Sequence, residues 1–109
     1  MRVLLDECVP RKLRRELPGH TVFTVTEMGW NGTLNGALLL RASGEFDLLL
    51  TVDANVPYQQ NQQTLPIAVL ILVARSNDIN DLRPLMPQVR ELLPTIEPGR
   101  IYILQDPQR

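Results

Sequence analysis

Cysteine occurs once in this 109-residue chain, at Cys8, which removes disulfide frameworks and cysteine-based zinc sites from consideration. Lysine also occurs once, at Lys12, so the basic side chains are otherwise all arginine, which suits pairing with phosphate or carboxylate. Aromatic residues make up only 5%, and Trp30 is the single tryptophan, a thin platform for stacking on bases. Long apolar runs are missing: none approaches the ~20 residues of a membrane-spanning helix. The run after Arg2 is cut by Asp6-Glu7 and is too short for the apolar core of a signal peptide. A soluble, cytoplasmic protein without membrane association is therefore expected. A net charge of −1 gives no global field toward nucleic acid or anionic lipid, so any basic footprint must be local.

What is present is the grammar of a parallel α/β domain. Val3-Leu4-Leu5, Leu48-Leu49-Leu50 within the third strand Phe46–Thr51, and Ile67–Val73 are apolar runs without polar alternation, as strands buried on both faces are. His20–Val25 is β-branched and alternating, and Arg100–Leu104 supplies a last strand. Between them, Pro10 opens a helix with Leu13 and Leu17 on one face, stopped by Pro18-Gly19. Thr33 or Asn35 can cap a second helix through Ala37–Ala42. Ile79, Leu82, Leu85, Met86, Val89, Leu92 and Leu93 recur at helical spacing, with Pro84 at a first turn and Pro87 a kink or a later start. The order predicts a single three-layer α/β domain over residues 1–104 with a mostly parallel central sheet, and a tail at 105–109.

In such sheets ligands bind beyond the carboxyl ends of the strands. Asp6 and Glu7 close the first strand, Glu27 follows the second, and Asp53 follows the third. Carboxylates converging without compensating lysine suit a hard divalent cation, Mg²⁺ or Mn²⁺, able to activate water for phosphodiester cleavage. The plain alternative is that these acids cap turns and helices. Arg11, Lys12, Arg14 and Arg15 crowd the first helix beside the acids and suit a phosphate backbone, or else form a solvated helix face. Arg75 follows the fourth strand at the same edge. The segment from Val52 to Pro66 is polar and Gln-rich, and Asn55 within it is a candidate for hydrogen bonding to RNA. Trp30 either stacks on a base or caps the core. His20 begins a strand, at the opposite edge, and reads as structural.

Leu-Leu-Asp-Glu-x-x-Pro-x-x-Leu at the start, Glu-Met-Gly-Trp and Asn-Gly in the middle, and Leu-Leu-Thr-x-Asp-x-Asn with Gln-Gln-Asn beyond resemble the small bacterial PIN-like proteins of uncharacterised function. These are similar to Mut7-C-type nucleases and to the toxin ribonucleases of toxin–antitoxin pairs. The resemblance covers residues 1 to about 104. It implies a PIN-like fold and metal-dependent cleavage of RNA, with Asp6 and Asp53 as metal-binding acids and Glu7 as a neighbouring acid. A small antitoxin protein is the partner it implies, and a homo-oligomer is compatible with it. The chain departs from the pattern at two places: Ala37 stands where an acid is common after Asn-Gly, and Ala54 where lysine often follows the late aspartate. Alanine can neither ligate a metal nor hold a phosphate. The chain is thus expected to be a metal-dependent endoribonuclease with a weakened site, or alternatively a catalytically silent RNA- or protein-binding module. A receiver-like domain also places acids at these strand ends, but no lysine late in the chain completes such a site.

Overall fold

The computed structural model of the chain describes residues 1–53 and 66–105. Its apolar runs form five strands: β1 (Arg2–Leu5), β2 (Thr21–Thr24), β3 (Leu48–Thr51), β4 (Ala68–Val73) and β5 (Ile101–Gln105). They make one sheet in the order β2-β1-β3-β4-β5, with every neighbouring pair parallel. The expected strands are thus in place with their ends shifted by a residue or two, and Gln105, expected in the tail, is the last residue of β5. Among the described residues, no helix is long and apolar enough to cross a membrane.

Side chains alternate across the sheet, and the register sorts them cleanly. Val3, Leu5, Val22, Leu48, Leu50, Ala68, Leu70 and Leu72 face one side. Leu4, Leu49, Val69 and Ile71 face the other. Because both faces of β1 and β3 are covered, Val3, Leu4, Leu5 and Leu48 to Leu50 are completely buried. Each such leucine contributes about 2 kcal/mol of apolar burial, which is why these strands carry no polar alternation.

The first face is covered by Leu13 and Leu17, and by Leu82, Leu85, Met86, Val89 and Leu93. The second is covered by Leu38, Leu39 and Ala42 of α1 (Asn35–Ala42), with Phe46 beside them. Trp30 packs into this second layer, edge-on to Phe46 with ring centroids 6.1 Å apart. It is a core cap. His20 sits at the amino edge, its Nδ1 3.2 Å from the Met1 amino group.

Two local expectations are corrected, and the last helical path breaks at its prolines as expected. The segment after Pro10 is a 3-10 helix, Arg11–Glu16, rather than an α-helix. Short spans such as this one are where 3-10 geometry is used. At α1 neither Thr33 nor Asn35 is the cap: Leu34 occupies that position without a side-chain bond, while the Thr33 hydroxyl donates to the Trp30 carbonyl at 2.6 Å. The apolar-periodic stretch near the end is one path in four pieces: α2 (Ile79–Leu82), a 3-10 turn at Arg83–Leu85, α3 (Met86–Leu92) and a 3-10 turn at Leu93–Thr95. Pro84, Pro87 and Pro94 each lack an N–H and break the ladder where they fall. Asp78 caps α2, accepting from the Asn80 N–H at 2.8 Å.

The crossovers have a consequence for layering. From β1 to β2 the chain passes over the first face and moves to one edge; from β2 to β3 it passes over the second face and moves back. Those two crossovers share one hand. From β4 to β5 the chain continues in the second direction but its helices lie on the first face, so its hand is opposite, against the strong preference of parallel crossovers for a single hand. The packing supplies the reason. The 3-10 helix is short, and without α2 and α3 the apolar surface of Leu48, Leu50, Leu70 and Leu72 would lie open on that face.

Candidate functional site

Chain direction in the sheet reverses between β1 and β3: β1 connects outward to β2, while β3 continues to β4 on the other side. A parallel sheet opens a crevice at the carboxyl edge of such a switch point. Asp6 follows β1 there, and its N–H still donates to the Leu50 carbonyl of β3 at 3.0 Å. Thr51 ends β3, fully buried. Its hydroxyl donates to Asp6 Oδ2 at 2.8 Å and accepts from the Asp53 N–H at 3.0 Å. One hydroxyl therefore ties the Asp6 carboxylate to the Asp53 backbone, across adjacent strands. Asp6 Oδ1 accepts from the Glu7 N–H at 2.8 Å. A carboxylate has about four lone-pair sites, so Asp6 keeps acceptor capacity on each oxygen after these two bonds.

Cys8 lies 3.8 Å from the Thr51 hydroxyl, and burial pushes its thiol up from the ordinary 9.0, with the nearby Asp6 charge adding to the effect. It is a packed side chain, not an activated thiolate. The Asn77 side-chain amide holds this turn from the β4 side, donating to the Cys8 carbonyl at 3.1 Å.

Glu27 reaches the same rim by another route. The Thr24 hydroxyl accepts from the Glu27 N–H at 3.0 Å, and Glu27 Oε1 accepts from the Thr24 N–H at 2.8 Å. This reciprocal exchange is the arrangement of a capping box, here closing the turn after β2. Arg14 also donates to Glu27 Oε1. The Thr24 N–H, followed by Arg14, holds the Glu27 carboxyl below its ordinary 4.5, so it stays ionised. Glu7 Oε1 accepts from the N–H of Gly32, a residue at φ +77°, and this bond fastens the loop before α1 to the end of β1.

Asp6, Glu7 and Glu27 line one cleft of about 320 Å³, together with Arg11, Thr24 and Thr26. Asp53 joins Asp6 through Thr51. The acids are gathered at one edge as expected. Among the described residues, however, no group of three or more His, Cys, Asp or Glu is arranged to hold a metal ion. Glu27 is committed to Arg14 and Thr24, and Ala37 lies exposed in the first turn of α1. Arg11 borders the cleft, Arg14 is paired, and Arg75 is exposed just beyond β4. Asn55 lies outside the described residues.

Sequence reasoning missed Thr51 and Asn77 as organisers of the site, and the pairing of Arg14 with Glu27. The first two have no signature apart from position. The Thr24-x-x-Glu27 spacing was a legible signal for the capping box. Comparison with protein-family models, with curated proteins and with solved structures finds no match.

Proposed function

We propose that the chain is a PIN-like endoribonuclease dependent on Mg²⁺ or Mn²⁺, with a weakened metal site, serving as the toxin of a toxin–antitoxin pair. The observation that carries this reading is the Asp6–Thr51–Asp53 connection at the switch point of the sheet. Asp6 and Asp53 are the residues that would hold the cation. Mg²⁺ is commonly bound by only one or two protein carboxylates plus waters and substrate phosphates, so the donor set fits a site completed by RNA. A cation there would polarise the phosphodiester and lower the pKa of a bound water. Thr51 keeps Asp6 oriented from β3, and Glu7 offers a second carboxylate at the mouth of the cleft. Arg11, on the same rim, would meet the phosphate, with Arg75 a further cation at this edge.

One observation favours a second reading, a catalytically silent RNA- or protein-binding module. No three-acid group stands among the described residues, and Ala37 supplies no carboxylate. A single experiment separates the two: Mn²⁺ titration by calorimetry, with RNA cleavage measured in parallel, on the natural chain, Asp6→Asn and Ala37→Glu. The nuclease reading expects weak millimolar binding and slow cleavage, both lost in Asp6→Asn, and binding about tenfold tighter in Ala37→Glu from one added carboxylate. RNA binding without cleavage in the natural chain and in Ala37→Glu alike would leave the silent module.

A further inference from the structure

Beside the acid cleft lies a second pocket of about 260 Å³ whose wall is Arg11, Lys12, Arg14, Arg15 and Glu27. Arg11 and Glu27 belong to both, so the two recesses share a common wall at the carboxyl edge. Four cations around one small recess repel one another, and only Glu27 offsets them within it. Arg14 also carries an Nε–H that has no acceptor among the described residues.

We infer that this pocket is a subsite for a backbone phosphate of single-stranded RNA, and that Glu27 is an internal anion competing with that phosphate for Arg14. The inference rests on the RNA-binding part of the function proposed above, but not on metal or on cleavage. Glu27 is suited to the part because it is fixed independently of the cations. The Thr24 N–H anchors its Oε1, the oxygen that Arg14 also contacts. Its lowered pKa keeps the carboxylate charged across the working range of pH. A phosphate entering from the solvent side meets Lys12 and Arg15, both exposed, and gains Arg14 as it displaces the carboxylate. The shared wall then positions the neighbouring part of the strand over Asp6 and Glu7.

Glutamine at position 27 tests this without dismantling the turn. A capping box accepts Gln as well as Glu, so Glu27→Gln keeps the bond from the Thr24 N–H and removes only the charge. Binding of a fluorescein-labelled single-stranded RNA, followed by anisotropy in excess chelator, is compared for the natural chain, Glu27→Gln and Lys12→Ala/Arg15→Ala, over a salt series. Glu27→Gln should bind about fivefold tighter, the effect of removing one unit charge a few ångströms away in a solvated site. The double variant should bind about tenfold more weakly, with a salt slope shallower by about 1.4, the value for two lost contacts to a single strand. Inorganic phosphate should compete, and only at millimolar concentration. Unchanged affinity in Glu27→Gln or in the double variant, or RNA that saturating phosphate cannot displace, would overturn the inference. So would pocket binding of phosphate by a chain with no affinity for RNA. A failure of the nuclease reading looks different: RNA is bound with these same dependences and never cut when metal is added.

Discussion

Thr51→Val replaces the hydroxyl that joins Asp6 to Asp53 with a methyl group of similar size. An argument from hydrophobicity alone predicts a neutral or stabilising change, because Thr51 is fully buried among Leu50 and its neighbours. The hydrogen bonds predict the opposite. The hydroxyl donates to a carboxylate at 2.8 Å and accepts a backbone N–H at 3.0 Å. A bond to a charged group contributes about 1.5–3 kcal/mol, and a buried donor left without its acceptor costs about 1–3 kcal/mol. Asp6 and Asp53 are both partly exposed, so water can replace some of what is lost. The low end of each range applies, giving a net loss of about 2 kcal/mol. Thr51→Ser keeps both bonds and loses one buried methyl, about 0.8 kcal/mol. Serine should therefore be the milder change, although it is the less hydrophobic one. Urea unfolding read by Trp30 fluorescence reports both. With a slope near 1.3 kcal/mol per molar, valine should lower the midpoint by about 1.5 M and serine by about half as much or less, with the slope unchanged. A valine variant as stable as the natural chain, or more stable than serine, would refute the account of Thr51 as the tie between the two strands.

Two further predictions concern the rim of the cleft. The Glu27 carboxyl is depressed in the folded chain, so the unfolded chain binds that proton more readily and stability rises with pH. Its contribution should be complete above the ordinary 4.5 and disappear as pH falls through the lower folded value; Glu27→Gln should remove this part of the acid sensitivity, and an unchanged urea midpoint-against-pH curve would count against the capping role. Gly32→Ala introduces a Cβ that meets nothing within 4 Å, so its cost comes from backbone conformation alone. At φ +77° that cost should be about 1 kcal/mol in urea unfolding, and no loss would mean that the loop relaxes to negative φ and abandons the Gly32–Glu7 bond.

Much of the fold was readable because a buried parallel strand leaves a local mark. Val3-Leu4-Leu5 and Leu48-Leu49-Leu50 have no polar position to spare, since the register sends alternate residues into two separate apolar layers. Pro84 and Pro87 announced the breaks in the C-terminal helical path for an equally local reason, the missing N–H. The cap of α1 misled because Thr33 has the chemistry of a cap but spends its hydroxyl on Trp30, leaving Leu34 to serve. The 3-10 geometry of Arg11–Glu16 was hidden because Leu13 and Leu17, four apart, carry the spacing of an α-helix.

The number of strands, their parallel character and the arrival of Asp6, Glu7, Glu27 and Asp53 at one edge could all be read locally, because each depends on burial pattern and chain direction within a short window. The tertiary structure alone decided which strands are neighbours, that the last crossover runs on the same face as the first, and how the acids are partnered. Thr51 lies 45 positions along the chain from the Asp6 it bonds, and Arg14 reaches Glu27 only after β2 has paired with β1. Hydrogen bonds and ion pairs act over about 3 Å of space whatever the separation along the chain. Proximity of that kind is a product of packing, which no short stretch of the sequence contains.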